Sequence, residues 1–137
     1  MPQTIQIQNL QVMEVVVAGP GNANRLFITT GVADGAIGAF SSGGTANQQE
    51  TFVALIDPVL TPGQFVKATA MISLLDVSEQ ASAFGFSRHR VDSIDADWDD
   101  QSGKIKVSFE VEVTVNGANN SVNLNRVGIQ VTTLAAV

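Results

Sequence analysis

Apolar and polar residues alternate with period two along most of this chain, and helical spacing is nearly absent. The clearest alternation lies in residues 91–115, VDSIDADWDDQSGKIKVSFEVEVTV. Ile105, Val107, Phe109, Val111, Val113 and Val115 take every second position, with Lys106, Ser108, Glu110, Glu112 and Thr114 between them. Successive side chains of a strand point to opposite faces, so this spacing predicts one buried and one wet face. Upstream, Ile94, Ala96 and Trp98 alternate with Asp95, Asp97 and Asp99. Between the two runs, Asp100-Gln101-Ser102-Gly103 has turn chemistry, and Gly103 can take positive φ. Pairing Asp99 with Lys104 sets Trp98 opposite Ile105, Asp97 opposite Lys106 and Ala96 opposite Val107. One register then satisfies the greasy and the charged face together, as a hairpin requires.

The rest of the chain reads the same way. Residues 4–18 form a strand whose phase shifts at Asn9-Leu10, which predicts a bulge. Residues 19–22 are a turn, and residues 25–30 are the hairpin partner of the first strand. Residues 31–49 hold five glycines and a single charge, Asp34, and read as a loop. Ile37 and Phe40 would let part of that loop dock, on its own domain or on another subunit. Residues 51–56 are apolar on both faces and predict a central strand. Thr61-Pro62-Gly63-Gln64 suits a type II turn. Residues 65–76 alternate again, and residues 76–83 suit one helical turn capped by Asp76. Phe84 and Phe86 begin the strand that enters the hairpin. Residues 116–120, NGANN, predict an open turn before a last strand, in which Val122 and Leu124 are out of phase with Val127, Ile129 and Val131.

Seven or eight short strands with Gly and Pro turns predict an all-β antiparallel sandwich, jelly-roll or immunoglobulin-like, with a barrel as the second choice. The 137 residues suit one β domain, 1–137, carrying a glycine-rich loop at 31–49.

Composition narrows the function classes. There is no cysteine, so disulfides and thiolate metal sites are excluded. No charged n-region and apolar run opens the sequence, and no apolar run approaches the roughly 20 residues of a membrane span. A cytoplasmic protein is the default expectation. The net charge of −6 argues against nucleic acid and anionic membranes as partners. Only 15% of residues are charged, while Gln, Asn, Ser and Thr abound. Such faces tolerate subunit contact, so a homo-oligomer is expected.

Three stretches could carry chemistry. Asp92, Asp95, Asp97, Asp99 and Asp100 cluster within nine positions. Carboxylates suit Ca²⁺, and Asp97, Asp99 and Asp100 near the turn are its candidate ligands. The pattern departs from an EF-hand at Asp100 and Lys106. Carboxylates on one face of a strand also sit roughly 6.6 Å apart, which suits a ladder facing Lys104 and Lys106 better than a cage. The second stretch, Arg88-His89-Arg90-Val91-Asp92, holds the sole histidine. Arg88 and Arg90 share a face and could fork onto a carboxylate or phosphate ligand. They and Asp92 interrupt the parity of Phe84, Phe86, Ile94, Ala96 and Trp98, which predicts a bulge or a buried Arg–Asp pair. Third, the glycine-rich stretch lacks both the P-loop and the dinucleotide-binding pattern. Trp98, opposite Ile105, is expected in the core or an interface instead of on an exposed sugar platform.

No catalytic set is visible by spacing. The first expectation is therefore a non-catalytic, self-associating interaction or structural module. The second is a Ca²⁺-assisted module for glycans or another small ligand. The third is a small hydrolase or isomerase that uses His89.

Overall fold

The computed structural model describes residues 2–19, 22–80 and 85–136. They are all-β and form one open, mixed sheet. Its six strands are β1 (Gln3–Thr4), β2 (Ile7–Gly19), β3 (Asn22–Ile56), β4 (Phe65–Gln80), β5 (Gly85–Trp98) and β6 (Ile105–Ala136). Among the described residues no helix is long and apolar enough to cross a membrane.

Six strands replace the seven or eight expected, because two expected loops are strand. Residues 31–49 lie inside β3, which runs 35 residues, and residues 116–120 lie inside β6, which runs 32. The two pair antiparallel from Asn24 opposite Ala136 to Ile56 opposite Ile105. The glycine-rich stretch does alternate, but between small residues. Ala33, Gly35, Ile37, Ala39 and Ser41 are buried, and Asp34, Ala36, Gly38 and Phe40 face out. Ile37 is therefore core, and only Phe40 is free to dock. The inner positions are small, and another part of the sheet lies over Gly35. A Cβ on Gly35 would lie 3.3 Å from the Phe52 ring. Residues 76–80, expected as a helical turn, continue β4; residues 81–83 and Phe84 fall outside the described residues.

β3 and β6 cross a sharp bend side by side. The ladder shifts register between Ser41 and Ser42 and again before Thr45, and Gly43 has φ +145°. Opposite them, Gly117 has φ +118° and Asn119 has φ +58°. Ser41 Oγ lies 2.6 Å from the carbonyl oxygens of both Gly44 and Gly117. Buried Asn120 donates its side-chain amide to the Asn116 carbonyl at 2.6 Å. These contacts satisfy backbone groups that the broken ladder would leave unpaired.

The bend turns the sheet back on itself. Thr29 Oγ1 donates to the Asp57 carbonyl at 2.9 Å, although the two residues lie equally far along the chain on either side of Gly43. The sheet thus has two arms. The first contains β2, the first half of β3, the second half of β6 and β4. The second contains β1, the second half of β3, the first half of β6 and β5. The inner faces share one core, in which Phe52 and Phe109 pack at 5.6 Å between ring centroids. Val107, Val111, Val113 and Val115 of β6 are fully buried. One bent sheet therefore stands where two separate sheets were expected. Among the described residues the sheet stays open and does not close into a barrel, because β2 pairs only β3, while β4 and β5 pair only β6.

The hairpin register holds as read: Trp98 faces Ile105, Asp97 faces Lys106 and Ala96 faces Val107. Asp99 N–H donates to the Lys104 carbonyl at 2.8 Å, and Gly103 has φ +74°. The bulge near Asn9 is present between Gln8 and Gln11, with Asn9 at φ +54°. The phase change after Leu124 matches a register shift between Asp34 and Ile37. Thr61–Gln64 is a turn, closed by Gln64 N–H on the Thr61 carbonyl. It is not type II, because Gly63 lacks the positive φ that type demands.

Candidate functional site

The bulge between Asp92 and Asp95 resolves the broken parity of β5. Ser93 takes φ +53°, and its N–H donates to Asp92 Oδ1 at 2.8 Å. One residue is added, so the inward positions switch from odd to even. Val91 faces the core residue Val111 before the bulge, and Ala96 faces Val107 after it. Arg88, Arg90 and Asp92 consequently point outward, and no buried Arg–Asp pair forms.

On that outward side, Arg90 Nη2 lies 3.3 Å from Glu112 Oε2 and Arg88 Nη2 lies 3.9 Å from Glu112 Oε1. Two guanidinium groups share one carboxylate. The carboxylate that the two arginines meet belongs to the same chain. Both arginines are exposed, and such pairs contribute about 0–1 kcal/mol. His89 points to the other side of β5, with Nδ1 3.4 Å from Glu79 Oε1. Both side chains are partly exposed, so this imidazole–carboxylate contact lies on an open rim. Glu79 and Glu112 were not singled out as partners from the sequence. The β5–β6 register brings Glu112 to the arginines, and Glu79 reaches His89 from β4, a strand that does not pair with β5 among the described residues.

The aspartates near the turn are used by the turn itself. Asp97 Oδ1 accepts from the Trp98 N–H at 2.8 Å. Asp99 Oδ2 accepts from the Ser102 hydroxyl at 2.6 Å and from the Ser102 N–H at 2.9 Å. Lys104 Nζ reaches Asp57 Oδ1 at 3.5 Å, so its ion pair is with Asp57 and not with the aspartate run. Among the described residues no three His, Cys, Asp or Glu side chains gather as metal ligands, and Asp100 joins no such group. Trp98 is half-buried, with Nε1 donating towards the carbonyls of Gly103 (3.2 Å) and Leu60 (3.3 Å).

Ser102 holds the Asp99 carboxyl below its ordinary range, first through its hydroxyl and then through its N–H, with Lys106 adding to both against a smaller desolvation effect. A carboxyl with a lowered folded pKa adds stability above its unfolded pKa, and that stability is lost as pH falls through the folded value. Asp99→Asn is therefore expected to lower Tm near neutral pH. The gap to wild type should close once pH drops well below about 3.9, the ordinary aspartate value. Thermal melts across that range check this, and a gap that stays constant would contradict it.

The two arms present outer faces of opposite character. On the second arm, the outward charges of β5 and β6 are Arg88, Arg90, Asp92, Asp95 and Asp97 with Lys106, Glu110 and Glu112, beside the exposed Phe86. Five acids against three bases leave this face negative. On the first arm, register sets Val15, Leu26, Leu134 and Lys67 in one outward row across four strands. The next row is Met13, Ile28, Thr132 and Thr69, and the next Gln11, Thr30, Gln130 and Met71. Val32 and Gly128 follow, with the Leu75 side chain lying over Gly128. Lys67 is the sole charge in these rows until the Asp34–Arg126 pair (3.2 Å) at the bend end. Met13 is 61% exposed and Met71 67%. Two shallow hollows of about 150 and 190 Å³ lie on this arm, the first beside Leu26 and Leu134, the second beside Met13 and Ile28. A larger hollow of about 340 Å³ lies between Thr4–Ile7, Leu55, Ser102 and Lys104, and includes none of Arg88, His89, Arg90 or Asp92.

Comparison with protein-family models, with curated proteins and with solved structures gives no match to this chain.

Proposed function

We propose that this chain is a non-catalytic β module that works by associating with copies of itself, as an interaction or structural piece. The observation that supports this is the display of large apolar side chains on regular strands. Met13, Val15, Met71 and Leu75 are all exposed. Apolar patches of this kind on a well-formed sheet mark contact surfaces. The candidate chemistry points the same way. The arginine fork is occupied by Glu112, and the aspartates serve a bulge and a turn.

Size-exclusion chromatography with light scattering tests the reading. At about 100 μM chain, a Kd of about 10 μM or tighter gives a mass clearly above one chain. A clean monomer mass at that concentration overturns it.

A further inference from the structure

We infer that the outer face of the first arm packs against the same face of a second copy of this chain. This rests on the self-association proposed above and specifies its surface. The two outer faces divide the charge of the molecule. Five acids and three bases lie on the outward side of β5 and β6 in the second arm, a net negative face, whereas the first arm offers Lys67 alone across its three central rows. Two copies that meet through the first arm keep their negative faces apart, so the net charge of −6 on each chain opposes this contact least. The area fits as well. Four strands about 4.8 Å apart, over the roughly eleven residues of β3 from Asn24 to the Asp34–Arg126 pair at about 3.3 Å, make a face of roughly 700 Å², about two thirds of it in the rows from Leu26 to Val32, close to the roughly 800 Å² that each partner gives to a stable interface. Lateral pairing of β2 edges would explain less. Met71 and Leu75 are on β4, at the opposite margin of the sheet, and would stay uncovered. Face-to-face packing covers β2 and β4 together. A contact between identical faces closes as a two-fold dimer.

The test uses the full chain with Met13→Glu and Met71→Glu combined. Both positions are exposed, so the fold should survive, and an unchanged circular dichroism spectrum and melt verify this. Each copy then carries two carboxylates into the contact, and self-association should weaken by about 100-fold or more. Val59→Glu is the control: Val59 is 63% exposed outside the strands and should keep the wild-type mass. Monomeric double variant beside an associated wild type and control supports the assignment. An associated double variant overturns it and leaves the broader self-association standing. Loss of association in Val59→Glu alone also overturns it. A monomeric wild type removes the proposed function itself, and this assignment with it.

Discussion

Phe109→Ala is expected to cost about 3–5 kcal/mol of unfolding free energy, a large share of the about 5–15 kcal/mol that holds a domain together. Phe109 is 1% exposed and lies directly opposite Phe52 in the β3–β6 ladder. Removing its ring loses the transfer free energy and leaves a cavity. The cavity cannot easily collapse, because Phe52 is hemmed in by Gly35 of the facing arm. Phe40→Ala is the matched comparison. Phe40 is exposed on the outer side of β3, and its loss should stay within about 0.5 kcal/mol. Urea denaturation of both variants measures the contrast. A Phe109→Ala loss below about 1.5 kcal/mol would mean that the two arms do not share one tightly packed core.

Gly85→Val is expected to be the most damaging single change outside the core, at about 3 kcal/mol or more. Gly85 opens β5 with φ +139°, a conformation that L side chains rarely adopt. Space is missing too. A Cβ there would run into the Asn116 carbonyl oxygen and the Asn120 side-chain amide. Those two groups are already hydrogen-bonded to each other at the bend, so neither can move without breaking the contact that holds it. Gly44→Ala provides the comparison, since nothing lies within 4 Å of its Cβ position and its φ is not positive. It should be neutral or slightly stabilising, by up to about 1 kcal/mol. Equal midpoints for Gly85→Val and wild type would show that the bend tolerates a side chain at its entry.

The hairpin was legible because residues 94–98 and 105–109 carry strong, unmixed signals: large apolar groups on one parity and charges on the other. The bulge at Asp92–Asp95 was legible as a conflict, since two arginines on an apolar parity demand an extra residue or a buried ion pair. The continuity of β3 was not legible. Ala33, Gly35 and Ala39 are small and buried, Gly35 directly beneath the Phe52 ring of the facing arm, and small residues give almost no periodic signal. The same reason hid the bend at residues 116–120, where glycine and asparagine mark a kink within a paired strand in place of a turn between two strands. The arginine fork was seen, but its filler was not, since Glu112 lies 22 residues from Arg90 and only the register joins them. The apolar outer face of the first arm was hidden for a related cause: its rows are assembled from four strands, and each strand supplies only one residue to a row.

The paired crossing of β3 and β6 at the bend has a mechanical consequence. Two layers tied by a single chain can swivel about that tie. Here two neighbouring chains make the passage together, still matched at Ser41 with Asn120, Ser42 with Ala118 and Thr45 with Asn116. A paired ribbon flexes about the axis across its width and resists torsion. The molecule is bound like a book along its spine. Its covers share a hinge line that holds them in alignment, and far from that line they are joined again, where residues 57–64 carry the chain from β3 of the second arm to β4 of the first and Thr29 is latched to Asp57.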